Sequence, residues 1–275
     1  MGDMKCLLLL LCAGVTVSSD VDLQKRVVRG HPCGNTERGY HVKLIASNGT
    51  AGYLCGGSLI SESYILTAAH CWKDRWEMTA YLGVHPVQQN PPRGVRITEH
   101  HIYNDRHGDH DIMLLKLPTP TNIPYIALPS DQECRNIHNV QTVWVAGYGA
   151  TTVFPNGTIG NDRPTELHCG DMSVVKCPNF ASCSDVLNSI DPYIQSLTYA
   201  HVFCGQSKTV DIAPGDSGGG VVNNCRIYGV ISNGVDLACA EPAAFMDVCK
   251  YKSWIKRKAG IGALNKLRNF FSCFN

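Results

Sequence analysis

Residues 209–220 of the chain read TVDIAPGDSGGG, and this glycine-rich stretch decides how the rest of the sequence is interpreted. Its core, Gly215 to Gly219, places Ser217 between an acidic residue and two glycines. Glycine permits tight backbone bends and the close approach of backbone N–H groups, which a reactive serine needs around it. The stretch therefore raises the hypothesis that Ser217 is a nucleophile, and that hypothesis requires partners elsewhere in the chain.

Two further segments contain the side chains that such a serine needs. Residues 66–71 read LTAAHC and include His70, and residues 109–115 read DHDIMLL and include Asp111. A serine hydroxyl is a weak nucleophile at neutral pH, so it requires a histidine to accept its proton and an acid to orient that histidine. Either segment alone is more often structural than catalytic, but the three together favour catalysis.

Composition and strand pattern indicate a folded, β-rich protein. Of the 275 residues 44% are hydrophobic and 17% are charged, and a net charge of +1 gives no reason to expect a nucleic-acid partner. Short runs of β-branched and aliphatic residues alternate with turn residues, which predicts an all-β barrel or sandwich. Helical periodicity is found only near the end, at residues 248–259 and 264–271.

The N-terminus has the features of a secretory signal. A lysine at position 5, an apolar run at 6–17 and small residues at 17–19 predict a signal peptide over residues 1–19. The run is too short to span a bilayer, and no later segment reaches that length, so we expect a secreted, extracellular protein with no membrane span. The basic pair that ends at Arg26 predicts an activation propeptide over residues 20–26.

Cysteines and sequons agree with secretion. Two of the 14 cysteines fall in the signal peptide, and the remaining twelve are enough for six disulfides in an oxidising compartment. Asn48 and Asn156 each begin an Asn-Gly-Thr sequon, which predicts glycosylation on surface loops.

With its three motifs in this order, the sequence resembles the trypsin-like serine proteases from Val27 to about Lys258. The resemblance implies an all-β fold of two antiparallel six-stranded β-barrels, with the active site in the cleft between them and an α-helix at the C-terminus. It implies a protease domain at 27–258, barrel halves at about 27–130 and 131–246, and a C-terminal extension at 259–275.

The resemblance also implies a role for each motif residue. His70 would be the general base and acid, Asp111 would orient its ring, and Ser217 would attack the scissile carbonyl. The N–H groups of Gly215 and Ser217 would form the oxyanion hole. The function implied is that of a serine endopeptidase acting through an acyl-enzyme.

Activation by cleavage is a further implication. A cut after Arg26 would release an ammonium group at Val27, which would insert beside Asp216 and shape the oxyanion loop. Because an unpaired buried charge is costly, we expect this loop to be poorly formed before cleavage, so that the chain is a zymogen.

The resemblance also implies a specificity, because in this family the residue six positions before the serine chiefly sets it. Asp211 would lie at the base of the primary pocket and favour cleavage after Arg or Lys. Ile212 would stand in the pocket wall at a position that is usually small, and Ala243 would stand where a glycine leaves room. Substrate main chain would pair with the strand Ser232-Asn233-Gly234, in which Asn233 replaces the expected tryptophan.

Position-by-position matching to the family implies four disulfides. These are Cys33 with Cys169, Cys55 with Cys71, Cys134 with Cys249, and Cys183 with Cys204. The family's disulfide that braces the primary pocket lacks one of its two cysteines here, because Ala213 stands at that position. The pairing of the remaining four cysteines stays open; they are Cys177, Cys225, Cys239 and Cys273.

No cofactor and no metal are expected. Residues 82–95 lack the carboxylates of a calcium loop, and the histidines of residues 99–110 could bind zinc but are more often simply solvated. Expected partners are protein or peptide substrates, an activating protease and protein protease inhibitors. Two alternatives stay open: a catalytically weak homologue that acts by binding, and an active protease with non-basic primary specificity.

Overall fold

A computed structural model of the chain describes residues 30–88, 92–136, 139–152, 160, 162–180, 192–233 and 242–262. Within these residues, no helix is both long enough and apolar enough to cross a membrane. Several predictions lie outside the described residues, so they stay predictions. They concern the signal peptide at 1–19, the propeptide at 20–26 with Arg26, the new terminus at Val27, Gly234, the sequon at Asn156, and Cys183, Cys239 and Cys273.

Fourteen strands are present in the described residues, and they form two sheets. The strands are β1 His31–Pro32, β2 His41–Ser47, β3 Gly52–Leu59, β4 Tyr64–Thr67, β5 Glu77–Tyr81, β6 Val95–Ile97, β7 Glu99–Asp105, β8 Gly108–Lys116, β9 Thr142–Gly147, β10 His168–Val175, β11 Val202–Gln206, β12 Gly220–Asn223, β13 Arg226–Asn233 and β14 Ala243–Asp247. The helices are α1 Asp131–Arg135, α2 Pro192–Tyr199 and α3 Val248–Ala259, with a 3-10 turn at Ala69–Cys71.

The first sheet closes into a barrel through one bent segment. Its strand order is β6-β5-β2-β3-β4-β8-β7. Strands β6 and β7 are separated only by Thr98, and they pair with opposite edges of the sheet, β5 and β8. The segment from Val95 to Asp105 therefore acts as one strand, and the barrel has six.

The second sheet closes through β9, which pairs with both β10 and β12. The order β9-β10-β11-β14-β13-β12 gives six strands, and the short β1 adds to the edge of β10. All pairings between these strands are antiparallel. The predicted architecture of two six-stranded antiparallel barrels with a C-terminal helix is confirmed.

The apolar cluster of the first barrel also includes side chains of the second barrel and of helix α3. Buried side chains of β2, β4 and β8 form one cluster, which also contains Tyr251, Trp254 and Ile255 of α3. Helix α3 is capped at its N-terminus by Asp247, whose carboxylate accepts a hydrogen bond from the Cys249 N–H at 2.9 Å, and at its C-terminus by Gly260, whose left-handed φ of 64° suits glycine. The second barrel has its own apolar cluster, which includes Val143, Val145, Ile231 and Phe245.

Three of the four implied disulfides are present, and the fourth prediction is wrong. The chain contains Cys33–Cys169, Cys55–Cys71 and Cys134–Cys249. Cys204 pairs with Cys177 and not with Cys183, and the two Cα atoms are 5.1 Å apart. The physical reason is strand register: Val175, at the end of β10, lies opposite Cys204, so Cys177 two residues later falls beside it. Cys225 is also disulfide-bonded.

Candidate active site

His70 and Asp111 form a tightly connected pair between neighbouring segments of the first barrel. His70 lies in the 3-10 turn that follows β4, and Asp111 lies on β8, the strand that pairs with β4. The His70 Nδ1 atom is 3.0 Å from Asp111 Oδ1 and 2.9 Å from Oδ2. The His70 backbone N–H also donates to Oδ1, at 2.8 Å. One carboxylate therefore fixes both the ring and the main chain of His70.

The carboxylate of Asp111 is itself held from the second barrel. Asp111 is only 4% exposed, and the hydroxyl of Ser232 on β13 donates to its Oδ2. A buried carboxylate needs such hydrogen bonds, because each donor replaces water that burial removes. Ser232 was predicted only as a main-chain contact for substrate, and its side-chain bond to Asp111 was missed. Nothing in the spacing of the motifs indicates this contact between the barrels.

Ser217 lies next to this pair. Its carbonyl oxygen accepts a hydrogen bond from the Gly56 N–H at 2.7 Å and lies 3.7 Å from the Cys71 sulfur. A ring nitrogen of His70 lies within 4.8 Å of the same sulfur. The Cys55–Cys71 disulfide thus ties together β3, the His70 turn and the segment that contains the serine. The structure brings the three motifs of the sequence to one place.

Two glycines of the serine turn have backbone conformations that other residues rarely adopt. Gly215 has a φ of 109° and Gly218 a φ of 81°, and a Cβ atom on Gly218 would collide with the Gly56 carbonyl and the Thr67 hydroxyl. Within the described residues, the N–H groups of Gly215 and Ser217 have no hydrogen-bond acceptor.

Asp216 is buried directly behind the serine. It is 1% exposed and accepts hydrogen bonds from the N–H groups of Gly149 at 2.7 Å and Ala213 at 2.9 Å. Burial raises the pKa of Asp216 to about 6, although both hydrogen bonds oppose the shift. No cation of the described residues forms an ion pair with it.

Comparison with known proteins agrees with this geometry. The family model described as Trypsin matches residues 27–255. The chain belongs to the trypsin family of serine proteases. Trypsin-3 of Salmo salar is 30% identical over 249 residues, which cover 85% of this chain and 93% of that protein. Serine protease 1 of Canis lupus familiaris is 32% identical over 267 residues, which cover 92% of this chain and 98% of that protein.

Solved structures give the same result. The structure of GrC matches with a TM-score of 0.64 at 28% identity, covering 84% of this chain and 98% of that one. HL collagenase matches with a TM-score of 0.65 at 26% identity, covering 86% of this chain and 99% of that one. The likeness extends across both barrels.

The residues predicted to line the primary pocket of this trypsin-family chain differ in how far they are buried. Asp211 is exposed, and its Oδ1 accepts a hydrogen bond from the Ile212 N–H at 2.8 Å. Ile212 is 2% exposed and packs in the apolar cluster of the second barrel, together with Ile231 and Phe245. Ala243 is half-buried at the start of β14, and the side chain of Asn233 lies outside the described structure.

The histidine-rich segment forms the hairpin of β7 and β8. His100 stacks on Trp72 with ring centroids 4.0 Å apart, and His101 lies 3.3 Å from Glu99. His110 is buried, with its Nδ1 2.7 Å from the Tyr251 hydroxyl. In the described part of the chain, the one cluster with metal-ligand spacing is Cys55, His70 and Cys71. Its two cysteines are joined in a disulfide, so they offer no thiolate to a metal.

Proposed function

We propose that the chain is a secreted serine endopeptidase, made as a zymogen, that hydrolyses peptide bonds through Ser217, His70 and Asp111. One observation carries the proposal: in a trypsin-family chain, the buried Asp111 carboxylate holds both the ring nitrogen and the backbone of His70. An imidazole whose Nδ1–H is fixed by a carboxylate presents Nε2 as a proton acceptor.

The proposed reaction has two stages. Ser217 Oγ attacks the scissile carbonyl carbon while its proton passes to His70, and the N–H groups of Gly215 and Ser217 stabilise the oxyanion. His70 then gives the proton to the leaving amine as the C–N bond breaks, which leaves an acyl-enzyme. Water, deprotonated by His70, hydrolyses the ester and restores Ser217.

Activation is proposed to follow cleavage after Arg26. The buried carboxylate of Asp216 supports this proposal, because it has a raised pKa and would gain a cationic partner in the new ammonium of Val27. An activating protease is therefore an expected partner, and protein protease inhibitors are expected to bind the completed cleft. The exposed sequon at Asn48, in the turn between β2 and β3, supports secretion with a glycan at that residue.

Cleavage after Arg or Lys is the favoured specificity, because Asp211 is an exposed carboxylate six residues before the serine. Non-basic specificity is the second candidate. It is favoured by the apolar packing of Ile212, which offers no polar group to a bound cation. The two candidates differ only in the pocket, and they share the same catalytic residues.

The decisive experiment uses secreted protein cut after Arg26, with a Ser217→Ala variant as control. A fluorophosphonate should label the wild-type protein at Ser217 and leave the variant unlabelled. Matched peptide substrates ending in Arg, Lys, Phe or Ala then report the specificity, and we expect the highest kcat/KM for Arg or Lys. Asp211→Asn should lower the turnover of these basic substrates more than that of the Phe substrate.

Three results would contradict the proposal. Absence of labelling in wild-type protein would exclude a working nucleophile and favour a homologue that acts by binding. The best turnover on Phe would exclude the basic pocket while leaving the triad intact. Full activity of an uncleavable Arg26→Gln chain would exclude the zymogen.

A further inference from the structure

Cys225 forms a disulfide whose partner is not among the described residues. The other described cysteines pair with one another in the four bonds given above. Cys225 is half-buried, and it is disulfide-bonded as well. Two of the remaining cysteines fall in the predicted signal peptide, which is removed. Three partners are then left, namely Cys183, Cys239 and Cys273.

The turn that contains Cys225 is unfavourable for a cysteine. Asn224 and Cys225 connect β12 to β13, and their φ angles of 44° and 58° are left-handed. Asparagine tolerates this conformation, but the second place of such a hairpin turn is normally taken by glycine, because a Cβ atom there is strained. A cysteine at this position costs conformational energy, which indicates that its side chain has a role.

Chain length excludes Cys239 as the partner. Strand β13 has 8 residues, so at a rise of about 3.3 Å per residue its end at Asn233 lies about 26 Å from Cys225. Asn233 lies opposite Ala244 of β14. Cys239 precedes Ala243 by four residues, which span at most about 14 Å. Because bonded cysteines have Cα atoms no more than about 7 Å apart, Cys239 does not reach Cys225.

Cys183 is held near the same end of the second barrel as Cys239. It follows Phe180 by three residues, which span at most about 11 Å. Phe180 is buried in an apolar cluster that also contains Ala244. Short lengths of chain therefore tie Cys183 and Cys239 to the surroundings of Ala244, and they are suited to pair with each other rather than with Cys225.

Cys273 has enough chain to reach Cys225. Helix α3 follows Asp247, which lies opposite Gly229, only four residues after Cys225. The helix has 12 residues, so it ends about 18 Å from its start. Cys273 comes eleven residues after Gly262, the last described residue, and that length spans up to about 36 Å. The end of the chain can therefore return to the turn beside which the helix begins.

An apolar surface lies beside this turn. Trp144 of β9 is 41% exposed, and it lies opposite Val222, three residues before Cys225. Val222 packs in the apolar cluster that contains side chains of α3. Residues 269–275 read NFFSCFN, so three phenylalanines lie within three residues of Cys273. Packing these rings on the indole would remove apolar surface from water and stabilise the docked segment.

We propose that a disulfide between Cys225 and Cys273 fastens the C-terminal extension to the second barrel, where its phenylalanines cover Trp144. Two thiols are oxidised to one disulfide, and their two protons and two electrons pass to the disulfide of a thiol oxidoreductase, which becomes a dithiol. The inference rests on the secretion proposed above, because the bond needs an oxidising compartment, and it is independent of the catalytic roles. Strand β12 begins three residues after Ser217 and β13 contains Ser232, so the bond would brace the hairpin next to both serines.

The test maps the disulfides of the full secreted chain, alkylated without reduction and digested with trypsin. The cysteines in question fall in separate tryptic peptides, with Cys225 in 209–226, Cys273 in 269–275, Cys239 in 227–250 and Cys183 in 177–208. We expect peptide 209–226 to be linked to peptide 269–275, and the linked mass to disappear on reduction. A link from 209–226 to either of the other two peptides would overturn the inference.

Serine variants test the same pairing in the folded protein. Cys273→Ser should leave Cys225 as a free thiol that reacts with a maleimide. It should also increase the hydroxyl-radical oxidation of Trp144, but not that of Trp76, which precedes β5. Cys239→Ser is the matched control and should leave Cys225 unreactive and Trp144 unchanged. If Cys239→Ser exposes the Cys225 thiol instead, the pairing is wrong.

The outcomes separate this inference from the proposed function. If the linked peptide is found but Trp144 oxidises equally with and without the bond, the disulfide stands and the covering of Trp144 is overturned. If another pairing is found while a fluorophosphonate labels Ser217, only this inference fails. If every cysteine of the chain is alkylated as a thiol, the inference and the proposed secretion fail together.

Discussion

At the scale of single residues, Asp216 is a buried carboxylate whose hydrogen-bond donors, among the described residues, are backbone N–H groups. Two backbone N–H groups donate to its carboxylate, yet its pKa is raised to about 6, because burial outweighs both hydrogen bonds. The ionised form is therefore held at a cost while the chain is uncleaved. Gly147 and Gly149 surround the carboxylate so closely that a Cβ atom on either would collide with it.

The stability of the uncleaved chain should therefore depend on pH through Asp216. Since the folded pKa lies above the ordinary value of 3.8, the stability that Asp216 contributes is fully present below about pH 4 and is lost as pH rises through about 6. In an Arg26→Gln chain, Asp216→Asn should remove up to about 3 kcal/mol of this pH dependence. The measurement is the free energy of urea unfolding at pH 4 and at pH 7, compared between the Arg26→Gln chain and the same chain with Asp216→Asn.

The exposed Asp171 on β10 provides the matched control for this measurement, because it is not among the groups that shift the pKa of Asp216. Asp171→Asn should change the free energy of unfolding by nearly the same amount at both pH values, because an exposed carboxylate is solvated in both states. If Asp216→Asn shows the same flat difference, the buried carboxylate is not the source of the pH dependence.

At the scale of elements, the carboxylate of Asp162 anchors the backbone at Thr151 and Thr152, shortly after β9. Asp162 accepts hydrogen bonds from the Thr151 N–H at 3.0 Å, the Thr151 hydroxyl and the Thr152 N–H at 2.9 Å. Partial burial raises the pKa of Asp162, but these hydrogen bonds together outweigh it and lower the pKa to about 2. Gly149, two residues before Thr151, donates to Asp216. The bonds of Asp162 thus fix the segment that supports the serine turn.

Removing this carboxylate should loosen the connection. We expect Asp162→Ala to lower the free energy of unfolding by about 1 kcal/mol and to slow fluorophosphonate labelling of the cut protein severalfold. Asp171→Ala, which removes an exposed carboxylate from β10, is the control and should change neither. Equal labelling rates for the two variants would show that the serine turn does not depend on Asp162.

Elements and motifs differ in how far the sequence predicts them. Local signals predict short strands and α3, but they indicate neither α1 nor α2. Two of the three motif segments meet through the hydrogen bond between His70 and Asp111. The hydrogen bond from Ser232 to Asp111 joins residues 121 positions apart in the chain, and no period or spacing encodes it. The Cys177–Cys204 pair depends on the register of β10 and β11, which cysteine spacing alone does not determine.

At the scale of the whole molecule, Tyr251 connects three parts of the fold. It lies on α3, its hydroxyl accepts a hydrogen bond from the His201 N–H at 3.0 Å, and it is 2.7 Å from His110 Nδ1 on β8. Burial raises the pKa of Tyr251, so the hydroxyl stays protonated and can donate to that nitrogen. His110 directly precedes Asp111, so the helix supports the strand that contains the acid.

Tyr251→Phe should therefore lower the free energy of unfolding more than the removal of a tyrosine hydroxyl elsewhere in the protein. It leaves the buried His110 Nδ1 without its partner, which costs about 1–3 kcal/mol, whereas the N–H of the exposed His201 can bind water instead. Tyr103→Phe is the matched control, because Tyr103 packs edge-on against the same ring, with centroids 4.9 Å apart. Denaturant unfolding gives the free energy of unfolding of the two variants. Equal values would contradict the role of the Tyr251 hydroxyl in connecting α3 with His201 and β8.

The packing of α3 also determines when the first barrel can finish folding. A chain is synthesised from its N-terminus, and domains generally fold as units in that order. Here Tyr251, Trp254 and Ile255, which pack in the same apolar cluster as side chains of β2, β4 and β8, are translated after all the strands of the described residues. A nascent chain that ends before residue 248 would therefore leave the apolar side chains that α3 covers exposed. The strands of the first barrel can pair early, but the cluster that they share with α3 is completed only when that helix has been made.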